Sequence, residues 1–227
     1  MNWFSKFLTS SIGQKVIMSI TGLFLILFLV IHLIGNLQLL KNDGGESFNI
    51  YAAFMAHNPL IKVVSITLYA SILLHAIQGI LITLKNKGAR KQKYLVANTQ
   101  TTSFASRQMA LLGTLIFVFI CIHMGDFWYK MKFTDELPLQ KYATHTEYVK
   151  DLYSRVYIAF QQLWIVVVYV ISMVVLTFHL LHGFQSAFQT LGLNHRKYTP
   201  VIKAIGTVFA ILVPLAFALI PVLMYFN

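Results

Sequence analysis

Thr177-Phe178-His179-Leu180-Leu181-His182-Gly183 lies late in an apolar run that extends from about Val156 to Gln189. A histidine inside hydrocarbon is costly, so it faces a protein interior and finds a partner there. The same feature recurs in three other apolar runs, at His32, His75 and His123. One histidine in each of four successive apolar segments is the pattern from which the rest of the chain is read.

Composition sets the class. Of 227 residues, 57% are hydrophobic and 11% are charged, whereas an ordinary soluble domain is about a quarter charged. Mean hydropathy is +0.68. The chain therefore reads as an all-α polytopic membrane protein forming one domain over 1–227. A span needs about 20 mostly apolar residues. Five segments meet that requirement: I Val16–Leu40, II Val63–Leu84, III Met109–Tyr129, IV Val156–Gln189 and V Ala204–Phe226. Such long continuous runs span as helices. Segment IV exceeds the bilayer, so it is expected to tilt or project. Residues 1–14 are polar and aromatic, and do not read as a cleavable leader. Trp3, Phe4, Phe7 and Leu8 with Lys6 and Lys15 form a short amphipathic stretch suited to an interface. Phe48, Tyr51, Phe54 and Met55 after the Asp43-Gly44-Gly45 turn signal predict a short surface helix. The single cysteine, Cys121, lies within an apolar span, and no C-x-x-C-H signature of covalent haem occurs.

Charge fixes the orientation. The net charge of +11 would suggest nucleic acid in a soluble chain, but its distribution gives a different meaning, and no nucleic-acid partner is expected. One side holds Lys6, Lys15, Lys85, Lys87, Arg90, Lys91, Lys93, Arg107, Arg196, Lys197 and Lys203, with no acid. The other holds all the acids: Asp43, Glu46, Asp126, Asp135, Glu136, Glu147 and Asp151. The positive-inside rule then puts the N-terminus in the cytoplasm and the C-terminus outside. The basic face suits an acidic docking partner.

Depth pairs the histidines. His32 follows Lys15 by 17 residues and His123 follows Arg107 by 16, about 25 Å at the helical rise. His75 precedes Lys85 by ten residues, about 15 Å, and His179 precedes Gly192 by 13, about 20 Å before tilt. His32 thus matches His123 toward the outside, and His75 matches His179 toward the cytoplasm. In an up-down arrangement of the first four helices, I faces III and II faces IV across the diagonals. Two pairs of imidazoles at two depths are what two six-coordinate b haems require, a set suited to electron transfer and not to oxygen chemistry. His75 and Gly79, like His179 and Gly183, share an i, i+4 face where a glycine lets a flat ring approach the backbone. His182 competes with His179 as ligand; the other of the two is then free for a propionate. Ser19, Arg107, Gln108, His182, Gln185 and Gln189 lie toward the cytoplasmic ends, as candidates for propionates of the inner haem or for a partner seam. Proton relays and metal transporters also use intramembrane histidines, but they bring carboxylates into the spans, and none lies there; Asp126 sits at the outer end of III.

Several stretches together are similar to one family. They are Ser11-Ile12-Gly13-Gln14-Lys15 with Met18 to Gly22, His32-Leu33-Ile34-Gly35-Asn36, Leu74-His75-Ala76-Ile77-Gln78-Gly79, Ala105-Ser106-Arg107-Gln108-Met109, His123-Met124, Phe178-His179, and Ser186 to Gly192. They resemble the cytochrome b membrane-anchor subunit of succinate dehydrogenase and quinol:fumarate reductase, in particular the five-helix, two-haem type called the cytochrome b558 family. The resemblance implies ligation of two haems b by His32, His75, His123 and His179, and favours His179 over His182. It implies a flavoprotein and an iron–sulfur subunit on the cytoplasmic face, with electrons passing between the iron–sulfur subunit and menaquinone near the outer haem. It also implies a bacterial cytoplasmic membrane location and allows a dimer of the whole complex. Some fumarate reductases of this type carry a glutamate two residues before the span IV ligand. Thr177 stands there in this chain, which argues against a transmembrane proton path of that kind and favours succinate oxidation or a differently coupled enzyme. No dinucleotide or dicarboxylate signature is present, so dicarboxylate chemistry is expected in a partner. Glu46 and Asp126 are the titratable candidates for quinone proton exchange. The competing expectations are a cytochrome b subunit of a hydrogenase or formate dehydrogenase, and a non-haem transporter.

Overall fold

The computed structural model describes residues 2–88 and 104–227. Arg90, Lys91 and Lys93 lie outside the described residues. Five helical segments are long and apolar enough to cross a membrane: Ser11–Leu40, Pro59–Gly88, Phe104–Phe133, Leu163–Thr190 and Thr199–Phe226.

The amphipathic N-terminal stretch forms helix α1 (Trp3–Thr9). Ser10 ends it and caps α2 (Ser11–Asn36), its Oγ accepting the Gly13 N–H at 3.0 Å. A side-chain oxygen there satisfies a donor that the first helical turn leaves open. A 3-10 turn at Leu37–Leu40 ends this segment. Gly44 (φ 62°) and Gly45 (φ 85°) then turn the chain in left-handed conformations that side-chain-bearing residues resist. The Asp43 carboxylate accepts the Gly45 and Ser47 N–H groups, and α3 (Glu46–His57) begins. The short helix expected in this loop is therefore present, but Phe48, Asn49 and Ala53 of it are buried.

Helix α4 (Pro59–Gly88) follows. Helix α5 (Phe104–His123) continues without a break through a π-helical turn at Met124–Tyr129 into α6 (Lys130–Phe133). A two-residue hairpin comes next, β1 (Leu139–Gln140) pairing antiparallel with β2 (Val149–Lys150).

The run Val156–Gln189 is not one helix. Helix α7 (Leu152–Phe160) stops, and α8 (Leu163–Thr190) starts after two glutamines. Gln162 is extended, with φ −99° and ψ 111°, and Gln161 Nε2 donates to the Met224 carbonyl at 2.7 Å. Two adjacent amides seeking partners outside their own helix end it, where the hydropathy of the flanking residues masks the break. The break therefore takes up the excess length that the sequence assigned to tilt or projection.

The last helix, α9 (Thr199–Phe226), contains Pro214 and Pro221, both fully buried. Each removes a backbone donor, which packing against neighbouring helices accommodates in a membrane segment. Extensive seams join α8 to α9, α2 to α4, α5 to α8 and α2 to α8, with a smaller one between α4 and α5.

One end of the helices carries Lys15 of α2, Lys85 and Lys87 of α4, and Arg107 of α5, and is called the basic end below. The opposite end is covered by α3, the hairpin and α7. Asn49, with no exposed surface, holds this cap together. Its Nδ2 donates to Tyr142 Oη and Asp151 Oδ1, both at 2.8 Å, and its Oδ1 accepts the Tyr153 N–H at 2.9 Å. Asp151 in turn accepts the Ser154 N–H and caps α7.

Candidate functional site

One histidine from each of the first four apolar segments meets another across one cavity. The rings of His32 on α2 and His123 on α5 have centroids 5.7 Å apart at 88°. Those of His75 on α4 and His179 on α8 are 6.3 Å apart at 67°. Along α8, Tyr169 touches His123 and His179 touches His75. Ten residues of helix separate them, so the two pairs stand about 15 Å apart along the helices. The ring of His182 contacts no other histidine ring among the described residues.

The cavity has a volume of about 1910 Å³, roughly twice the upper size of an ordinary small-molecule pocket. Ten residues singled out from the sequence as cofactor-binding lie on its wall: His32, His75, His123, His179, Ser19, Gly79, Arg107, His182, Gly183 and Gln189. Lys15, Lys87 and Arg107 line its basic end and Lys132 its capped end. Among the described residues no aspartate or glutamate lines it. Gly183 borders open space, and only the Met18 methyl group approaches Gly79, at 3.5 Å from where a Cβ would stand. Two further glycines back the His75–His179 pair: Gly22, which ends the Met18–Gly22 stretch, and Gly113, which the sequence did not mark. A Cβ on Gly22 would lie 3.2 Å from the His75 ring, and one on Gly113 3.7 Å from His179. Gly35, in contrast, packs tightly on the Tyr51 ring.

Hydrogen bonds at Nδ1 set how each imidazole is held. His75 Nδ1 lies 3.1 Å from Thr21 Oγ1. That hydroxyl already donates to the Ile17 carbonyl at 2.8 Å, so it accepts from His75 and leaves Nε2 with a free lone pair. His123 Nδ1 lies 3.1 Å from Tyr169 Oη. Asn36 Nδ2 donates to the His32 carbonyl at 2.7 Å and lies 3.3 Å from His32 Nδ1. His179 Nδ1 is buried with no hydrogen-bond partner among the described residues. Among the described residues no group of three or more metal-ligating side chains occurs. Two imidazoles alone cannot complete a tetrahedral centre, but they suffice as axial ligands where a macrocycle supplies the rest.

Glu46 and Asp126 lie apart from each other and off the cavity wall. Asp126 pairs with Arg155, and both side chains are about three-quarters buried. Glu46 accepts a hydrogen bond from Thr144 and lines a surface cleft with Asp43, Ser47 and Tyr51. Tyr51 lines both that cleft and the capped end of the cavity. Burial pushes the Tyr51 phenol up, so it stays protonated as a donor at neutral pH. Burial would raise Asp43 as well, but hydrogen bonds from Ser47 and Gly45 and the Lys41 charge outweigh it and hold the carboxyl low. Beside Tyr51, Trp128 Nε1 donates to Tyr69 Oη at 2.7 Å, and both rings line the cavity. Thr21, Tyr51, Tyr69 and Tyr169 carry no motif, and they emerge only from the packing of distant segments.

No family model, no curated protein and no solved structure matches the chain.

Proposed function

We propose that the chain is a di-haem cytochrome b anchor of a succinate:quinone oxidoreductase, with the first four spans as an up-down bundle around two b haems. The observation that carries this reading is the meeting of four imidazoles as two pairs on one large cavity, with no carboxylate on its wall among the described residues. Imidazole binds a first-row metal at about 2 Å, so two rings on one metal have centroids roughly 6 Å apart. The observed separations, 5.7 and 6.3 Å, lie on either side of that value. The residues present therefore fit the group. When bound, each haem would take up and pass on one electron at a time.

The chain's own residues have separate tasks in this reading. His32 and His123 would hold the haem at the capped end, and His75 and His179 the one at the basic end. Lys15, Arg107, Ser19 and Gln189 suit propionates at the basic end, and Lys132 suits them at the other. Gly79 and Gly183 leave room for a ring plane. His182 lies on the same wall without a histidine partner, which supports a polar contact and not ligation. The flavoprotein and iron–sulfur subunits dock on the basic face, in the cytoplasm of a bacterial cell, and dicarboxylate chemistry resides there.

The quinone, menaquinone in this reading, binds at the capped end near His32 and His123. Its headgroup needs polar groups and a route to water, because protons accompany its electrons. Asn36, Tyr51, Tyr69 and Trp128 supply the first. Tyr51 and the Glu46 cleft supply the second. Asp126 is held by Arg155, so proton exchange is assigned to Glu46. Glu46→Gln should slow quinone turnover while both haem spectra and dye-linked succinate oxidation persist. Unchanged quinone turnover in Glu46→Gln and in Tyr51→Phe would remove this route.

The test of the whole reading is what copurifies. The chain, isolated in mild detergent at low salt, should bring a flavoprotein and an iron–sulfur protein with succinate dehydrogenase activity. Reversal of charge at Arg90, Lys91 and Lys93 together should weaken their retention, more so as salt rises and screens the remaining charges. Isolation with hydrogenase or formate dehydrogenase subunits would move the chain to another quinone-linked complex.

A further inference from the structure

Tyr169 differs from every other group around the four histidines. It is buried, with 9% of its surface exposed, yet it lines the cavity. Phe119 and Phe160 meet its ring edge-on at 4.9 and 5.1 Å, so the ring has one place to be. Its hydroxyl stands 3.1 Å from His123 Nδ1, and no other hydrogen-bond partner of that nitrogen occurs among the described residues. The π-helical turn begins at the residue after His123. Such a turn inserts one residue into the helical register and is frequent at functional sites. Here it carries Phe127 onto both His123 and Tyr169, at 5.5 and 6.4 Å, and carries Asp126 to Arg155. The inner pair is built otherwise. His75 rests on Thr21 Oγ1, with the Met18 carbonyl as a second neighbour.

We propose that Tyr169 is the positioning residue of His123, and that through it the capped-end haem is tuned separately from the basic-end haem. The proposal rests on the di-haem reading above. With Nε2 given to iron, Nδ1 carries the proton and donates it to Tyr169 Oη. A hydrogen bond accepted from a ligand imidazole makes the ligand more electron-rich. That favours the oxidised iron and lowers the potential of that haem alone. The bond also fixes the plane of the His123 ring, which the aromatic contacts only bracket.

The test is a potentiometric titration of the purified anchor, read in the reduced α-bands and in the low-spin EPR signals, for the parent, Tyr169→Phe and Thr21→Val. Tyr169→Phe removes one oxygen and keeps the ring packing. It should raise the midpoint of one haem by about a tenfold change in the oxidised-to-reduced ratio at a fixed poise, ~59 mV for one electron. It should alter that haem's EPR signal and leave the other haem in place. Thr21→Val should leave the Tyr169-sensitive haem unchanged, because of the four histidines Thr21 hydrogen-bonds His75 and not His123. Loss of one haem in Tyr169→Phe with the other retained also agrees, since a ligand without its outer partner binds metal more weakly. Two retained haems with unchanged midpoints and EPR signals would overturn the proposal, as would loss of both haems, because a local anchor touches one site. A parent protein without haem would overturn the di-haem reading itself, before Tyr169 is in question.

Discussion

Replacement of His32, His75, His123 or His179 by alanine, one at a time, is expected to reduce the haem b content from two per chain to one or none. Each ring faces one other histidine ring across the cavity, so on the di-haem proposal each substitution would leave one imidazole where two are needed. His182→Ala should retain both haems, since His182 makes no ring contact with another histidine among the described residues. The measurement is haem b per chain in purified protein. A haem lost in His182→Ala and kept in His179→Ala would reverse the assignment on α8. Loss restricted to one of the two pairs would reduce the account to a single haem.

The second large effect lies in the cap, off the cavity wall. Asn49→Ala should destabilise the cap by about 3 kcal/mol, because three hydrogen bonds are lost and buried partners are left open. Asn49 has no exposed surface, and it ties α3 to the hairpin and to the start of α7. Asn49→Asp keeps the shape but replaces the amide donor with a carboxylate facing Asp151. It should be at least as damaging as alanine. Thermal unfolding in detergent, followed by exposure of the capped end to protease, reads both variants. Haem content should persist at moderate temperature, because Asn49 does not line the cavity. Parent-like stability of Asn49→Asp would mean that shape and not polarity holds the cap.

The five crossing segments were legible because twenty apolar residues leave little else to read. The pairing of histidines was legible for a similar reason. Lys15 and Arg107 mark one level, the helical rise converts residues into depth, and His32 and His123 then fall together. Their rings are 5.7 Å apart. What the sequence hid is local and depends on partners distant in the chain. The π turn at Met124–Tyr129 has no signature, since Met124-Gly125-Asp126-Phe127 would serve equally well in an ordinary helix or at its end. The stop between α7 and α8 rests on Gln161 reaching the Met224 carbonyl, 63 residues away. Asp126 read as a free candidate for quinone proton exchange, because nothing nearby in sequence announces its pairing with Arg155. Tyr169 read as one more aromatic in an apolar run. Its use depends on α5 lying beside α8, which residue periodicity does not state.

Haem content of the isolated chain tests the central claim most directly. The anchor should be purified alone in detergent, its haem extracted and quantified against protein, and its reduced-minus-oxidised spectrum recorded. The account predicts two non-covalent haems b per chain, low-spin, with sharp reduced α-bands and no binding of carbon monoxide, since both axial positions of each iron are filled. A chain without haem, or with one haem, or with an iron that binds carbon monoxide, would contradict it.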